Sequence, residues 1–260
     1  MTAIFLSFAV AAGPADLMAE ADGAYRAGIE ARADSARARP QFRRAAEAYE
    51  GAWASGPRSP ALARNMAQSR LLAGELGGCI RAYRRGLRDF PHDPDLRAGL
   101  AFARGQVAYP HVGDLAEAAR SREAETMLDR VPASFHRLAW VAVAVAALGW
   151  LTLARGWLGA RGGLALAGGV LILAGAATGG WLWWEDGKLR ARWAEPTAVV
   201  TGPGAELRMG NSDEYPKRLD GRLPAGVELK VIGERGGWLH VELAGGAAGW
   251  VPKGRVVEVE

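Results

Sequence analysis

The hydrophobic positions fall into three stretches with different periods. From residue 14 to about 130, apolar residues recur at three- and four-residue spacings among Ala, Arg, Glu and Leu, which predicts helices throughout. Periodicity then gives way to continuous apolar sequence: 17 uncharged residues from Leu138 to Ala154, and 23 more from Gly162 to Trp184. From Glu195 onward the period shortens to two. Short strands are predicted at Ala198–Val200, Ala205–Arg208, Val227–Glu234, Trp238–Leu243, Gly249–Pro252 and Val256–Val259. Turn signals separate them, among them Gly202-Pro203-Gly204, Asp220-Gly221, Gly236-Gly237 and Gly245-Gly246.

A helix needs about 20 apolar residues to cross the hydrocarbon core of a bilayer. The second uncharged run suffices outright. The first becomes long enough when extended to 136–157, with Arg137 and Arg155 snorkelling and Phe135 and Trp157 as interfacial anchors. Two transmembrane helices, 136–157 and 162–184, therefore form a hairpin. Gly175 and Gly179 make a G-x-x-x-G suited to close helix packing. Neither span contains an ionisable residue, which points to an anchor rather than a transporter.

Residues 1–13, MTAIFLSFAVAAG, are apolar, too short to span, and end in small residues, as a secretory signal does. An exported first segment places residues 14–136 outside, the 155–161 loop inside and the C-terminal part outside again. The expectation is a multi-pass protein of the bacterial inner membrane with periplasmic soluble domains. Arginine and lysine counts vote the other way, with Arg155 and Arg161 in the loop against Arg130, Arg137, Lys188, Arg190 and Arg192 in the flanks.

Charge sharpens this division. The 260 residues carry a formal net charge of +4 and have a mean hydropathy of −0.03. Residues 14–136 hold 18 Arg against 16 acidic residues; residues 137–194 hold six basic and two acidic; residues 195–260 hold eight basic and ten acidic. The excess thus sits at the ends of the hairpin, not on a soluble face, and no nucleic-acid partner is expected. Seven of the ten Trp lie between Trp140 and Trp193.

Cys79 is alone, so it can form neither an internal disulfide nor a cysteine zinc site. The sequence lacks a phosphate loop, G-x-G-x-x-G, G-x-S-x-G and H-E-x-x-H. His92, His111, His136 and His240 are scattered, and His92-Asp93-Pro94-Asp95 reads as a helix cap. No catalytic residue, metal ligand or cofactor is assigned, and an enzyme is not expected.

Residues 60–93, PALARNMAQSRLLAGELGGCIRAYRRGLRDFPHD, resemble a tetratricopeptide (TPR) repeat. Met66-Ala67 stand at the Leu-Gly pair, Gly74 at the inter-helix turn and Leu76 at the aromatic position. Cys79 takes the small position, Ile80 and Tyr83 the helix-packing pair, Gly86-Leu87 the Ala-Leu pair and Pro91 the closing proline. Ala63 and Arg70 depart from the usual Trp and Tyr. An interrupted second copy is expected upstream, AYRAG followed by Phe42 to Trp53, with residues 29–41 as an insertion or extended helix. A further helix begins at Asp93 or Asp95, and a charged helix follows from Asp114 to Arg130.

Residues Leu223 to Val259 resemble the bacterial SH3-like domain through Leu223-Pro224-Ala225-Gly226, Gly237-Trp238-Leu239-His240-Val241 and Gly249-Trp250-Val251-Pro252. That resemblance implies a small barrel with Trp238, Gly249, Trp250 and Pro252 in its core. The expected fold class is multidomain: all-α TPR-like repeats over 14–130, a two-helix transmembrane hairpin, and a small all-β SH3-like barrel over 195–260.

This order of modules resembles the TPR membrane proteins of the bacterial aerotolerance operon, the BatE-like group. The resemblance implies a membrane-anchored, non-enzymatic adaptor that binds membrane or envelope proteins, von Willebrand-type proteins among them, through a TPR groove. Arg64, Arg70 and Arg81 are candidate residues for an acidic partner. Two alternatives stay open at this point: an envelope anchor that binds cell-wall peptide through the SH3-like domain, and a cytoplasm-facing signalling scaffold.

Overall fold

The computed structural model describes residues 13–109, 135–159 and 161–259. The signal-like segment up to residue 12 and the charged helix expected over 114–130 lie outside the described residues. Seven α-helices, a small antiparallel sheet and one 3-10 turn make up what is described, in two compact units.

The first unit comprises residues up to Gly86, the stretch from Ala98, and the chain from Pro196 onward. Helices α1 (Pro14–Glu30), α2 (Ser35–Ser55), α3 (Pro60–Leu72), α4 (Leu76–Asp89) and α5 (Pro94–Gly105) follow in order, and α2, α3 and α5 begin at side-chain caps. The Asp34 side chain accepts from the Ala36 and Arg37 N–H at 3.0 and 3.4 Å. Ser59 accepts from Leu62 at 3.2 Å and Asp93 from Leu96 at 2.9 Å, each followed by a proline whose missing N–H costs nothing at the first helical position. Gly74 ends the α3–α4 turn at φ +83°, a conformation that penalises a Cβ.

Residues 29–41, expected as an insertion or extended helix, turn out to be the end of α1, a four-residue turn from Ala31 to Asp34, and the first turns of α2. Pro40 lies inside α2. Phe42 meets Tyr25 edge-on at 5.5 Å between ring centres and joins Ala38 and Ala73 in one buried cluster. Tyr49 donates to Asp22 at 2.6 Å, bonding α2 to α1. Trp53, Met66, Ile80 and Leu100 are almost wholly buried. Each contributes roughly 1.5–3 kcal/mol by leaving water.

The sheet has the order β4-β3-β2-β1-β5, all antiparallel, from β1 (Thr197–Val200), β2 (Glu228–Arg235), β3 (Trp238–Glu242), β4 (Ala248–Pro252) and β5 (Val256–Val259). The 3-10 turn Lys253–Arg255 joins β4 to β5. The strand expected at Ala205–Arg208 is instead three isolated bridges, Ala205 to Leu223, Arg208 to Lys217 and Arg208 to Trp250. Glycine and proline in the 202–204 turn leave too little regular backbone there for a ladder.

The second unit contains residues 87–97 and the hairpin of α6 (Phe135–Leu158) and α7 (Gly162–Ala194). Both helices are long and apolar enough to cross a membrane. At 1.5 Å per residue α7 is roughly 50 Å long, so Gly162 to Trp184 alone has the length of a hydrocarbon core, with ten further residues beyond it. The outward side chains include Trp140, Leu151, Trp157, Leu166, Leu173 and Trp183, all largely exposed. Apolar surface of this extent marks a contact with membrane or protein.

Close approach of the two helices rests on one member of the G-x-x-x-G pair, Gly175, together with three glycines outside it. A Cβ added at Gly149 would lie 2.8 Å from the Ile172 nitrogen, and one at Gly175 would lie 2.9 Å from the Ala142 carbonyl oxygen. Gly156 and Gly168 likewise face backbone of the opposite helix. Nothing stands within 4 Å of the same position at Gly179. The contact glycines are therefore seven apart on each helix, the repeat that keeps one seam facing its partner.

Candidate functional site

The charged side chains of the first unit gather in two clusters. In the first, Arg43 on α2, Arg70 on α3 and Arg81 on α4 alternate with Glu50 and Glu75. Arg43 Nε donates to Glu75 Oε1 at 2.5 Å. Arg70 Nη1 donates to Glu75 Oε2 at 2.5 Å, and its Nη2 to Glu50 Oε2 at 3.0 Å. Arg81 donates to the other oxygen of Glu50. Burial would raise the Glu75 carboxyl, but Arg70 and Arg43 outweigh it and hold the group below the usual carboxylate range.

This row lines a cleft of about 600 Å³. Its helical wall includes Arg43, Arg70, Glu75 and Arg81, and its sheet wall includes Thr201 and Val257. Gly74 in the α3–α4 turn and Gly77 and Gly78 at the start of α4 also line it. A Cβ on Gly77 would run into the Val200 carbonyl oxygen.

The second cluster joins helices to sheet. Glu228 at the start of β2 sits between Arg84 and Arg104. Arg104 Nε and Nη2 donate to its two oxygens at 2.6 and 2.9 Å, and Arg84 donates to one of them. Arg84 also donates to Thr197 on β1 at 2.9 Å. The three charged side chains are 10–16% exposed. Burial favours the neutral acid, yet Arg104 and Arg84 prevail and depress the Glu228 pKa. Beside the clasp, Gly226 (φ +93°) fits against Val107, Ile80 and Leu76, with no room for a larger residue.

Of the three arginines expected to meet an acidic partner, Arg70 and Arg81 share Glu50, while Arg64 stands half-buried on α3 and does not line the cleft. Sequence reading missed Arg43, Glu50, Glu75, Arg84, Arg104 and Glu228. Glu228 is 124 residues from Arg104, so no local spacing could have signalled the pair.

The sheet corrects another expectation. Trp238, Trp250 and Pro252, assigned to the core, lie on the half-exposed face of β3 and β4, and Gly249 alone of the four is buried. Period-two alternation sends Leu239, Val241 and Val251 inward instead. Trp250 stacks on His240 with 4.8 Å between ring centres. A Cβ at Gly249 would lie 2.7 Å from the Arg208 carbonyl oxygen, which explains the glycine.

In the second unit, His92 Nε2 is 2.6 Å from Asp186 Oδ1, and Arg190 donates to the other oxygen at 2.8 Å. Asp93 caps α5, as the sequence implied. Cys79 is wholly buried, and burial pushes its thiol up to about 12. Among the described residues no group of three His, Cys, Asp or Glu could hold a metal ion. Comparison with known proteins finds no family model, no curated protein and no solved structure that matches this chain.

Proposed function

We propose that this protein is a membrane-anchored, non-enzymatic adaptor that binds membrane or envelope proteins through its helical unit. The observation that carries the reading is the hairpin: two long apolar helices with large apolar side chains turned outward, attached at both ends to a charged, well-packed body. The helix pair α3–α4 is a TPR-type pair in this reading. Burial of Met66, Ala67, Cys79, Ile80 and Tyr83, the small and large positions of that motif, supports it. The C-terminal module is SH3-like, a reading supported by the strand order and by the 3-10 turn ahead of the last strand. The kinship remains the BatE-like one, with von Willebrand-type membrane proteins as partners and the soluble parts in the periplasm.

Two experiments test this. Reporter fusions after residues 130, 158 and 260 should show periplasmic activity at the first and last positions; activity at 158 alone overturns the orientation. Photo-crosslinkers placed along residues 60–107 in intact cells should capture membrane proteins. Recovery of lipids or glycans alone defeats the adaptor reading.

A further inference from the structure

The row Arg43–Glu75–Arg70–Glu50–Arg81 begins and ends on a cation, three guanidiniums against two carboxylates. A guanidinium has five N–H donors in a planar fork. Arg43 uses its Nε alone, and Arg81 a single Nη. The row is thus short of one carboxylate, with unused donors at the two ends that line the cleft. Its two internal glutamates show that carboxylates fit between these arginines.

The opposite wall supplies the second feature. Val257 belongs to β5, which pairs with β1 and forms an edge of the sheet, with no strand on its outer side among the described residues. Edge strands accept an added strand through main-chain hydrogen bonds, with alternate side chains giving specificity. The cleft therefore pairs a backbone template with a cationic wall.

We infer that this cleft binds an extended acidic segment of a partner protein, laid along β5 with a carboxylate completing the row at Arg43 or Arg81. The inference rests on the adaptor reading and gives its partner a chemistry. It also assigns the recognition surface jointly to helices and sheet: neither Thr201 and Val257 nor the arginines form the cleft alone. Charge complementarity selects the occupant, since a basic segment would face three arginines and a neutral one would leave their donors unused.

The test measures fluorescence anisotropy of a labelled Thr-Glu-Ser-Glu-Thr-Glu hexapeptide with the purified full chain in detergent micelles. Peptides with Gln or Lys in place of Glu serve as comparisons. The acidic peptide should bind at least about tenfold more tightly than the Gln peptide, the Lys peptide should not bind, and affinity should fall with salt. Arg81→Gln should weaken binding about tenfold. Arg43→Gln should do the same and is the safer variant, because Arg43 is 53% exposed and an ion pair so exposed adds little to stability. Arg37→Gln, on the exposed start of α2, should change nothing. Amides of 256–259 should gain protection from hydrogen exchange when the acidic peptide is bound.

Equal binding of the Glu and Gln peptides, binding of neither, or wild-type binding by Arg43→Gln and Arg81→Gln overturns the inference. If crosslinking in cells recovers membrane proteins while the acidic peptide fails here, this site is wrong and the adaptor reading stands. Peptide binding without any cellular protein partner means the reverse.

Discussion

Replacing Glu228 by Gln keeps the size of the side chain and removes the charge that holds Arg84 and Arg104 together. Two guanidiniums, 10% and 16% exposed, are then left in a site that excludes most water. Breaking a buried ion pair from one side costs about 3–5 kcal/mol, because the remaining charges lose their partner without regaining hydration. The first unit is roughly 170 residues, for which 1 kcal/mol shifts the midpoint by about 2–4 °C, so a fall of roughly 10 °C is expected.

The assay is hydrogen exchange on the full chain in micelles, read over 76–89 on the helical side and 228–242 on the sheet side. Both segments should lose protection together. The pH dependence has a fixed sign: a carboxyl depressed in the folded state stabilises fully above its unfolded value near about 4.3, and that stabilisation is lost as pH falls toward the folded value. The gap between wild type and Glu228→Gln should therefore be flat from pH 8 to about 5 and close below about 4. Replacing all three charged residues by Met should recover much of the loss. A cost under about 1 kcal/mol, typical of a surface pair, would refute the reasoning. So would loss of protection confined to the sheet.

Two further outcomes check other parts of the fold. Gly168→Leu pushes a side chain into the backbone of Leu153 and should destabilise the hairpin by about 1–3 kcal/mol in mixed-micelle unfolding, whereas Gly169→Leu, in open space, should be neutral; equal midpoints would sink the heptad seam. Cys79 should resist iodoacetamide at pH 8 in the folded chain, since about one in ten thousand thiols is ionised there and none is accessible, and should react promptly once the chain is unfolded; rapid labelling of the native protein contradicts its burial.

Signals carried by neighbouring residues were legible in the sequence. The uncharged runs gave both apolar helices, the caps at Asp34, Ser59 and Asp93 mark real helix starts, and period-two alternation gave five strands to within a residue or two. Failures came where distant chain segments decide. The seam glycines Gly149, Gly156, Gly168 and Gly175 cannot be told from Gly179 until the rotation of each helix is known. Trp238 and Trp250 looked like core residues by size, yet the face of each strand is set by Leu239, Val241 and Val251 against the sheet's other strands. Arg70 and Arg81 were picked out on α3 and α4, but the glutamate they share is on α2, at a spacing no helix period relates to them.

The chain order adds a constraint on assembly. The first unit is built from segments on both sides of the hairpin in sequence, so its helical part is synthesised before either apolar helix and its sheet after both. Until Thr197 and Glu228 arrive, Arg84 and Arg104 lack their carboxylate, and Leu76, Ile80 and Val107 lack the Gly226 turn. Closing this gap joins residues more than a hundred positions apart, a loop closure that costs entropy before any contact repays it. The antiparallel hairpin brings Phe135 and Ala194 toward the same end and shortens the effective loop, which lowers that cost. The clasp at Glu228 and the cleft with Val257 on one wall and Arg81 on the other both need residues from before and after the hairpin, so neither can be complete until the last part of the chain has been made.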